Sequence, residues 1–444
     1  MSYISFGVYN KYLKYIIFHI ISTLLYEATF GLNYGNVYKE IIFFEKQKSF
    51  SSHRLINSIF CYFGILLFSL ILYKFDPNRK TKISNKRHNS KIELIHYDNK
   101  SIKKDNYTII LVSFLWVIHE QLAINYYYFN FVYLDYWTLE LIIAYYISKT
   151  MFNIQIHNHQ KFAIFFNSVL CSILIWLPFI VSLIDGETNN LKEKPVLILT
   201  GIISYLIIMF IRSYSNCKIK WISDLKDISV CRFLVYYGLF GTIISTIVSL
   251  VTTNAECNID EYIYCYLEKD GKKYFEHFSI FYEDFSSSKL IFIFLIILNI
   301  IFGFLKSLFY ILIIKYLTPF HAITLPSIYY FLLLVILFFY TLINKKENRD
   351  SKGIEVLSTA CDSIADFFTI IGTSIYSEII ELNFCKLDYN LKRNIIKRGD
   401  LDLSFITNSK EAKEGHLLPI NDDDEEEEEE ENEKINEISE SKNK

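Results

Sequence analysis

Apolar residues in this chain are gathered into blocks of about twenty, separated by short polar or charged stretches. A helix needs roughly 20 apolar residues to cross a hydrocarbon core about 30 Å thick, and backbone in lipid must satisfy its own hydrogen bonds. The blocks therefore predict an all-α membrane protein. Ten spans can be drawn, over residues 12–32, 54–74, 107–127, 130–150, 162–184, 195–213, 229–252, 289–315, 318–343 and 357–382.

Lys and Arg in the short loops predict the orientation of these spans, because cytoplasmic loops carry an excess of positive charge. The basic loop 75–106, the segment 149–161 and the segment 212–232 are each separated by two spans, so they fall on one face. We assign that face to the cytoplasm. Both termini then lie in the cytoplasm, and the long loop 253–288 faces a lumen or the exterior.

Two loops oppose this alternation. Residues 33–53 and 344–352 carry Lys or Arg although they would lie on the non-cytoplasmic side. The neighbouring first and tenth spans also contain ionisable residues, such as Glu27 and Asp366. The hydrophobic pattern therefore defines these two spans less sharply than the other eight.

Composition adds one feature to this picture. The net charge is −3, yet ten consecutive acids occupy residues 422–431, so the rest of the chain is basic. A run of like charges repels itself and does not fold. We expect residues 399–444 to form a disordered cytosolic tail, which could recruit a basic partner.

The loop 253–288 contains Cys257 and Cys265. In an oxidising lumen or outside the cell these two residues could form a disulfide, and otherwise they are two free thiols. No Cys and His spacing resembles a zinc site, so we expect no metal.

Ionisable residues inside the spans are the main functional candidates, because charge in hydrocarbon is costly and usually faces a cavity or a partner. The third span contains His119, Glu120 and, nearer its outer end, Asn125. His119 or Glu120 could contact a substrate or carry a proton, or could make an interhelical hydrogen bond. In the fourth span, Asp135 either lines a cavity or caps the helix, whereas Glu140 lies deeper.

The eighth span carries a polar stripe on one helix face, formed by Asn299, Gly303 and Lys306. Lys306 either faces a cavity, where it would attract an anionic solute, or extends to the interface as long cationic side chains do. The ninth span contains His321 and Pro326 near a break in its pattern. Broken helices are common beside transporter substrates, although a simple kink at Pro326 is the alternative.

Several activities lack their sequence signatures. The chain has no Walker A motif, no metalloprotease or esterase motif, no voltage-sensor helix and no potassium-channel filter. Primary active transport by this chain alone, membrane proteolysis and these channel types are therefore disfavoured. We expect no cofactor and no nucleic-acid partner, and a carrier is the class that remains.

Several segments resemble the drug/metabolite transporter superfamily, in its solute-carrier branch related to nucleotide-sugar transporters and their protist members. The resembling segments are Tyr133–Trp137, Ile147–Lys149, His159–Ile164, Tyr237–Thr242, Tyr316–His321 and Tyr376–Arg393. The resemblance implies ten helices built as two inverted five-helix repeats, here 1–184 and 195–398. It also implies a cavity lined by the third, fourth, eighth and ninth helices, which are the helices that hold the candidates above.

We therefore predict a secondary transporter that moves a small organic solute, such as a nucleotide sugar or another anionic metabolite, by alternating access. Two alternatives stay open: a multi-pass enzyme of lipid or glycan metabolism, which would use acids of the tenth span, and a non-transporting receptor or scaffold. The expected partners are membrane lipid, the substrate and a second copy in a homodimer. An endomembrane (Golgi, ER, endolysosomal or vacuolar) is favoured over the plasma membrane.

Overall fold

The structure is a computed structural model of the chain. It describes residues 10–29, 53–75, 99–129, 137–152, 156–184, 195–226, 229–253, 255–256, 267–269, 271–274, 276–343 and 353–380, with residues 382, 387, 389 and 391. This part of the chain is mostly helical.

Ten long helices, one short helix and a two-stranded sheet make up the described residues. They are α1 (Asn10–Thr29), α2 (Arg54–Phe75), α3 (Asn99–Phe129), α4 (Trp137–Thr150), α5 (Asn158–Ile184), α6 (Pro195–Lys226), α7 (Val230–Thr252), β1 (Leu267–Lys269), β2 (Lys272–Tyr274), α8 (Phe278–Ser287), α9 (Lys289–Tyr316), α10 (Pro319–Ile343) and α11 (Gly353–Tyr376). The strands pair antiparallel, with Leu267 opposite Tyr274.

A long helix lies over each predicted span, and the differences are at the ends. Helix α3 begins at Asn99 and α6 continues to Lys226, so both include polar residues that were expected in loops. In α6 the extension is held because Cys217, Ile219 and Ile222 are buried against neighbouring helices. The hairpin and α8 lie in the loop 253–288, where the hydrophobic pattern predicts no element.

Three of the described helices, α2, α7 and α9, are long and apolar enough to cross a membrane. Many large apolar side chains on these helices are exposed, such as Leu67, Ile247 and Ile297. In water such a surface would be unfavourable, whereas in lipid it is expected. The chain is therefore a helical membrane protein, and the count of ten spans stays a prediction.

The most extensive helix contacts among the described residues follow a repeating pattern, whereas the smaller contacts of α9 with α6, α7 and α10 lack a counterpart of similar extent. Helix α2 packs on α7, and α5 packs on α11. The pair α1–α9 has a counterpart in α6–α3, the pair α2–α9 in α7–α3, and the pair α4–α5 in α10–α11. Exchanging helices α1 to α5 for α6, α7, α9, α10 and α11 leaves this set of contacts unchanged.

Glycines allow α2, α7 and α9 to approach one another closely. A Cβ atom at Gly241 of α7 would overlap the ring of Tyr62 on α2. A Cβ atom at Gly303 of α9 would meet the Cys61 thiol of α2 and the ring of Tyr26 on α1. This tight crossing positions Tyr62 and Cys61 beside the polar groups described next.

Candidate functional site

The carboxylate of Glu120 on α3 is held by three neutral donors from three helices. The Tyr62 hydroxyl of α2 donates to Oε2 at 2.5 Å, and the Tyr237 hydroxyl of α7 donates to the same oxygen. The indole Nε1–H of Trp116, one turn earlier on α3, donates to Oε1 at 3.1 Å. Hydrogen bonds to an ionised group are the strong ones, so this arrangement suits a charged carboxylate.

Aromatic rings hold these donors in place. The Trp116 ring makes edge contacts with Phe233, Tyr237 and Tyr310, at centroid distances of 5.6, 6.1 and 5.2 Å. The Tyr62 and Tyr237 rings meet edge to face at 5.4 Å. Because rigid rings carry the hydroxyl and indole groups, the three donors are oriented toward Glu120 by packing.

The charge of Glu120 has no ionic partner in the described part of the chain, where its three hydrogen-bonding partners are all neutral. Neutral donors reduce the cost of placing a carboxylate in an apolar region without cancelling its charge. A carboxylate held in this way could still meet a proton or a cationic group.

A second carboxylate, Glu140 on α4, is paired with a cation. The Arg212 guanidinium of α6 donates from Nη1 to Oε2 of Glu140 at 3.1 Å, and Glu140 is 1% exposed. The guanidinium also hydrogen-bonds the Tyr310 hydroxyl of α9, to which Asn216 donates at 3.2 Å. Tyr310 thus touches Trp116 with its ring and Arg212 with its hydroxyl, which links the two carboxylate sites.

Lys306 of α9 lies beside Tyr26 of α1. Its Nζ atom lies 4.5 Å from the ring centroid of Tyr26, a cation–π contact. The Tyr26 hydroxyl donates to the Cys61 thiol at 3.8 Å, and that thiol interacts electrostatically with both Glu120 and Lys306. Lys306 is therefore near the Glu120 carboxylate without forming an ion pair with it.

These side chains form one polar group inside the bundle, which we call the central cluster. It contains two acids, two bases and four aromatic residues from six helices: Tyr62, Trp116, Glu120, Glu140, Arg212, Tyr237, Lys306 and Tyr310. The structure thus brings together three of the residues singled out from the sequence, namely Glu120, Glu140 and Lys306.

The other described candidates make local or interhelical contacts. His119 is buried, and its Nδ1 atom lies 3.1 Å from the Trp116 carbonyl oxygen. Asn299 donates from Nδ2 to the Asn57 carbonyl at 3.0 Å, which joins α9 to α2. His321 lies in the first turn of α10 and bridges Thr318 and Ser377, at 2.7 and 2.6 Å.

The acids of the tenth span do not gather in the described residues. Asp366 is buried on α11, and Asp362 is exposed one turn earlier. Glu378 follows the end of α11 and lies 3.3 Å from His159. Twelve residues of helix correspond to about 18 Å, so Asp366 and Glu378 lie at different levels of the bundle.

Several predicted features lie outside the described residues. Asp135, Cys257 and Cys265 belong to this group, as does the tail 399–444. The backbone of Asn125 lies in α3, while its side chain is outside the description. The cavity role of Asn125 and Asp135 and the disulfide stay predictions.

Sequence reasoning missed Arg212 and the four aromatic residues of the central cluster. Arg212 was assigned to the cytoplasmic basic segment, although it is the penultimate residue of the predicted span 195–213. That position was a usable signal, because a cation inside a span needs a partner. Tyr62, Trp116, Tyr237 and Tyr310 gave no such signal, since aromatic residues are frequent throughout this chain.

No family model and no curated protein matches this chain.

Proposed function

We propose that this protein is a secondary transporter, which moves a small organic solute through the bundle by alternating access. The central cluster supports this proposal, because the half-buried carboxylate of Glu120 is hydrogen-bonded only by neutral donors and is therefore able to meet a ligand. Ionisable residues inside transmembrane segments are rare, and they commonly mark substrate or ion pathways.

The proposed architecture is ten spans in two inverted repeats, residues 1–184 and 195–398, as in drug/metabolite transporters. The helix contacts that persist when the first five long helices are exchanged for the last five support this arrangement. Transporters built from inverted repeats bind substrate near the repeat interface and open by rocking one group of helices against another. The central cluster draws on both proposed repeats, with Glu120 from the first and Lys306 from the second.

The charges of the central cluster define the proposed binding mode. Glu140 and Arg212 form an ion pair with each other, and we propose that Glu120 and Lys306 are the two ionisable groups that meet the ligand. Lys306 would bind an anionic group, such as the phosphate of a nucleotide sugar. Glu120 would accept a hydrogen bond from the solute, or bind a proton that is transported with the solute. We place the protein in an endomembrane, with the tail 399–444 in the cytosol.

Counterflow into proteoliposomes tests this proposal. Purified protein is reconstituted into liposomes preloaded with one candidate solute, starting with nucleotide sugars, and uptake of the labelled solute is followed. Wild type is expected to accumulate label, and Lys306→Ala to lose most of this uptake because the anionic group loses its counter-charge. Lys315→Ala is the matched control, since Lys315 lies near the end of the same helix beside the ring of Tyr316.

Lys315→Ala should transport at the wild-type rate. Equal uptake by Lys306→Ala and wild type would contradict the role of Lys306. Absence of counterflow by folded wild-type protein with every solute tested would count against a carrier and favour the receptor or enzyme alternatives.

A further inference from the structure

A small folded element covers one end of the bundle. It consists of β1, β2, Glu276 and α8, the described residues from Leu267 to Ser288, and we call it the cap. Thr253 at the end of α7 pairs with Glu276 in a backbone bridge, and Glu256 pairs with Tyr274. Phe281 and Phe285 of α8 pack on Phe292 in the first turn of α9.

His53, immediately before α2, joins this cap to the bundle. Its Nδ1 atom lies 2.7 Å from Oε1 of Glu276, and its Nε2 atom lies 3.4 Å from Oδ2 of Asp284 on α8. The imidazole also meets the Phe281 ring edge to face at 5.1 Å. His53 and Glu276 are both fully buried, and Asp284 is 32% exposed.

Both ring nitrogens therefore face carboxylate oxygens. A neutral imidazole has only one N–H, so it can donate to one of these carboxylates, whereas the protonated ring donates to both. Glu276 is further held by the backbone N–H groups of Ile56 and His277, at 3.3 and 3.2 Å. The geometry therefore favours the protonated imidazole.

Electrostatics act in the same direction. Burial by itself lowers the pKa of His53, but hydrogen bonds and charge from Asp284 and Glu276 outweigh it and raise the pKa above its ordinary value. If the cap moved away, both carboxylates would leave with it, since one follows β2 and the other lies on α8. The released state would then lose this increase in the pKa.

We propose that His53, Glu276 and Asp284 form a proton-binding site that fastens the cap to the bundle, separate from the central cluster. Binding one proton at His53 completes two ion pairs that hold α8 and the segment after β2 against the start of α2. Loss of that proton leaves the buried Glu276 beside a neutral ring and weakens the attachment of the cap.

The pH dependence follows from proton linkage. A group whose pKa is raised in the attached state stabilises that state fully below its ordinary pKa of about 6.5. This stabilisation is lost as the pH rises through the raised pKa. Among the described residues, the charged or titratable groups near the ring are Glu276 after β2, Asp284 on α8 and the adjacent Arg54.

The proposed topology determines which side of the membrane this proton-binding site faces. The cap belongs to the loop 253–288, which the charge pattern places on the luminal or exterior side. An acidic lumen would keep the cap fastened over the ends of α2, α7 and α9, and a pH above the raised pKa of His53 would loosen it. The attachment itself does not depend on transport, so the proposal can fail while the carrier function stands, and the reverse.

Hydrogen exchange of the full-length protein in lipid nanodiscs tests the proposal. Exchange at amides of α8 is measured by mass spectrometry at about pH 5 and about pH 8, on either side of the histidine range, with labelling times scaled for chemical exchange. Wild type is expected to show several-fold lower protection of α8 at the higher pH. Amides in the middle of α5, which is remote from the cap in sequence, should show no such change.

Two variants assign the effect to His53. In His53→Gln the pH dependence should disappear, with protection low at both pH values. In His277→Gln it should be retained, because the side chain of His277 bonds Ser279 and contacts Tyr274 while its backbone still donates to Glu276. In Glu276→Gln, loss of one carboxylate charge should move the transition to lower pH.

Unchanged α8 protection between the two pH values in wild type would overturn the proposal without any variant. A wild-type pH dependence that persists in His53→Gln, or that disappears in His277→Gln, would overturn it as well.

Discussion

Glu120 and Glu140 are two carboxylates on consecutive helices of the same bundle, and they differ in the partners that hold them. Glu140 is 1% exposed and forms an ion pair with Arg212 at 3.1 Å. Glu120 is half-buried and receives three hydrogen bonds from Tyr62, Tyr237 and Trp116, none of them charged. The first carboxylate is neutralised by the protein itself, and the second is held in position without being neutralised.

This difference separates a structural role from a ligand-binding role. A buried ion pair contributes little net stability, but removal of one partner leaves an isolated charge that is costly. A carboxylate held by neutral donors can bind a proton or a cationic group of a ligand while its hydrogen bonds keep it in place. On the proposed function, Glu140 would maintain the bundle and Glu120 would bind the ligand.

The largest expected effect on stability comes from breaking the ion pair. In Glu140→Gln, Arg212 keeps its charge and loses its carboxylate partner, so we expect a loss of up to about 3 kcal/mol, at the low end for buried pairs because Arg212 is partly exposed. Thermal unfolding in detergent measures this loss. The double variant Glu140→Gln/Arg212→Gln should recover part of it, and additivity of the two single losses would contradict the pairing.

A smaller effect is expected from removing one donor to Glu120. Tyr62→Phe keeps the ring packing and deletes one hydrogen bond to a charged acceptor, which we expect to lower stability by about 1.5 kcal/mol. Tyr237→Phe should behave similarly, because its hydroxyl serves the same oxygen. Tyr107→Phe, at a side chain of α3 that is 73% exposed, is the control. A Tyr62→Phe protein as stable as this control would show that the hydrogen bond contributes nothing.

The smallest expected effect on stability comes from neutralising Glu120 itself. In Glu120→Gln the amide oxygen can accept from Trp116 and the amide NH2 can donate to the hydroxyl oxygens of Tyr62 and Tyr237, so we expect a change within about 1 kcal/mol. Counterflow should nevertheless be lost, because the charge that the ligand or the proton meets is gone. Glu283→Gln, on the exposed face of the cap, is the matched control and should keep both stability and uptake.

Together these substitutions can show whether the structural and ligand-binding roles belong to the opposite carboxylates. If Glu120→Gln destabilised the protein as much as Glu140→Gln while uptake by the folded fraction stayed at the wild-type rate, Glu120 would be the structural carboxylate. The central cluster would then lose its assignment as a binding site.

The positions of the long helices were predictable because the blocks of apolar residues are local in the sequence. Residues 54–74 and 229–252 predicted α2 and α7 almost to the residue. The ends were less predictable, since a helix such as α6 continues outside an apolar block when tertiary contacts cover residues like Cys217 and Ile222. The hairpin and α8 were missed because they are short and held by contacts with distant segments.

Of the candidate site, the sequence identified the charges and not their partners. Glu120, Glu140 and Lys306 are conspicuous because charge is rare within apolar blocks. The position of Arg212 within a predicted span indicates that it needs a partner, but its partner Glu140 lies 72 residues away, and Tyr62 and Tyr237 meet Glu120 across 58 and 117 residues. No local sequence pattern indicates which residues so far apart in the chain will come into contact.

The sequence by itself determined that this is a helical membrane protein, where its apolar helices lie and which charges lie within them. Only the tertiary structure decided which carboxylate is neutralised, which is held by neutral donors, and how His53 fastens the cap. The physical reason is that insertion into lipid depends on hydrophobicity summed along one segment, whereas an ion pair or a hydrogen bond depends on two atoms from different segments meeting within about 3 Å.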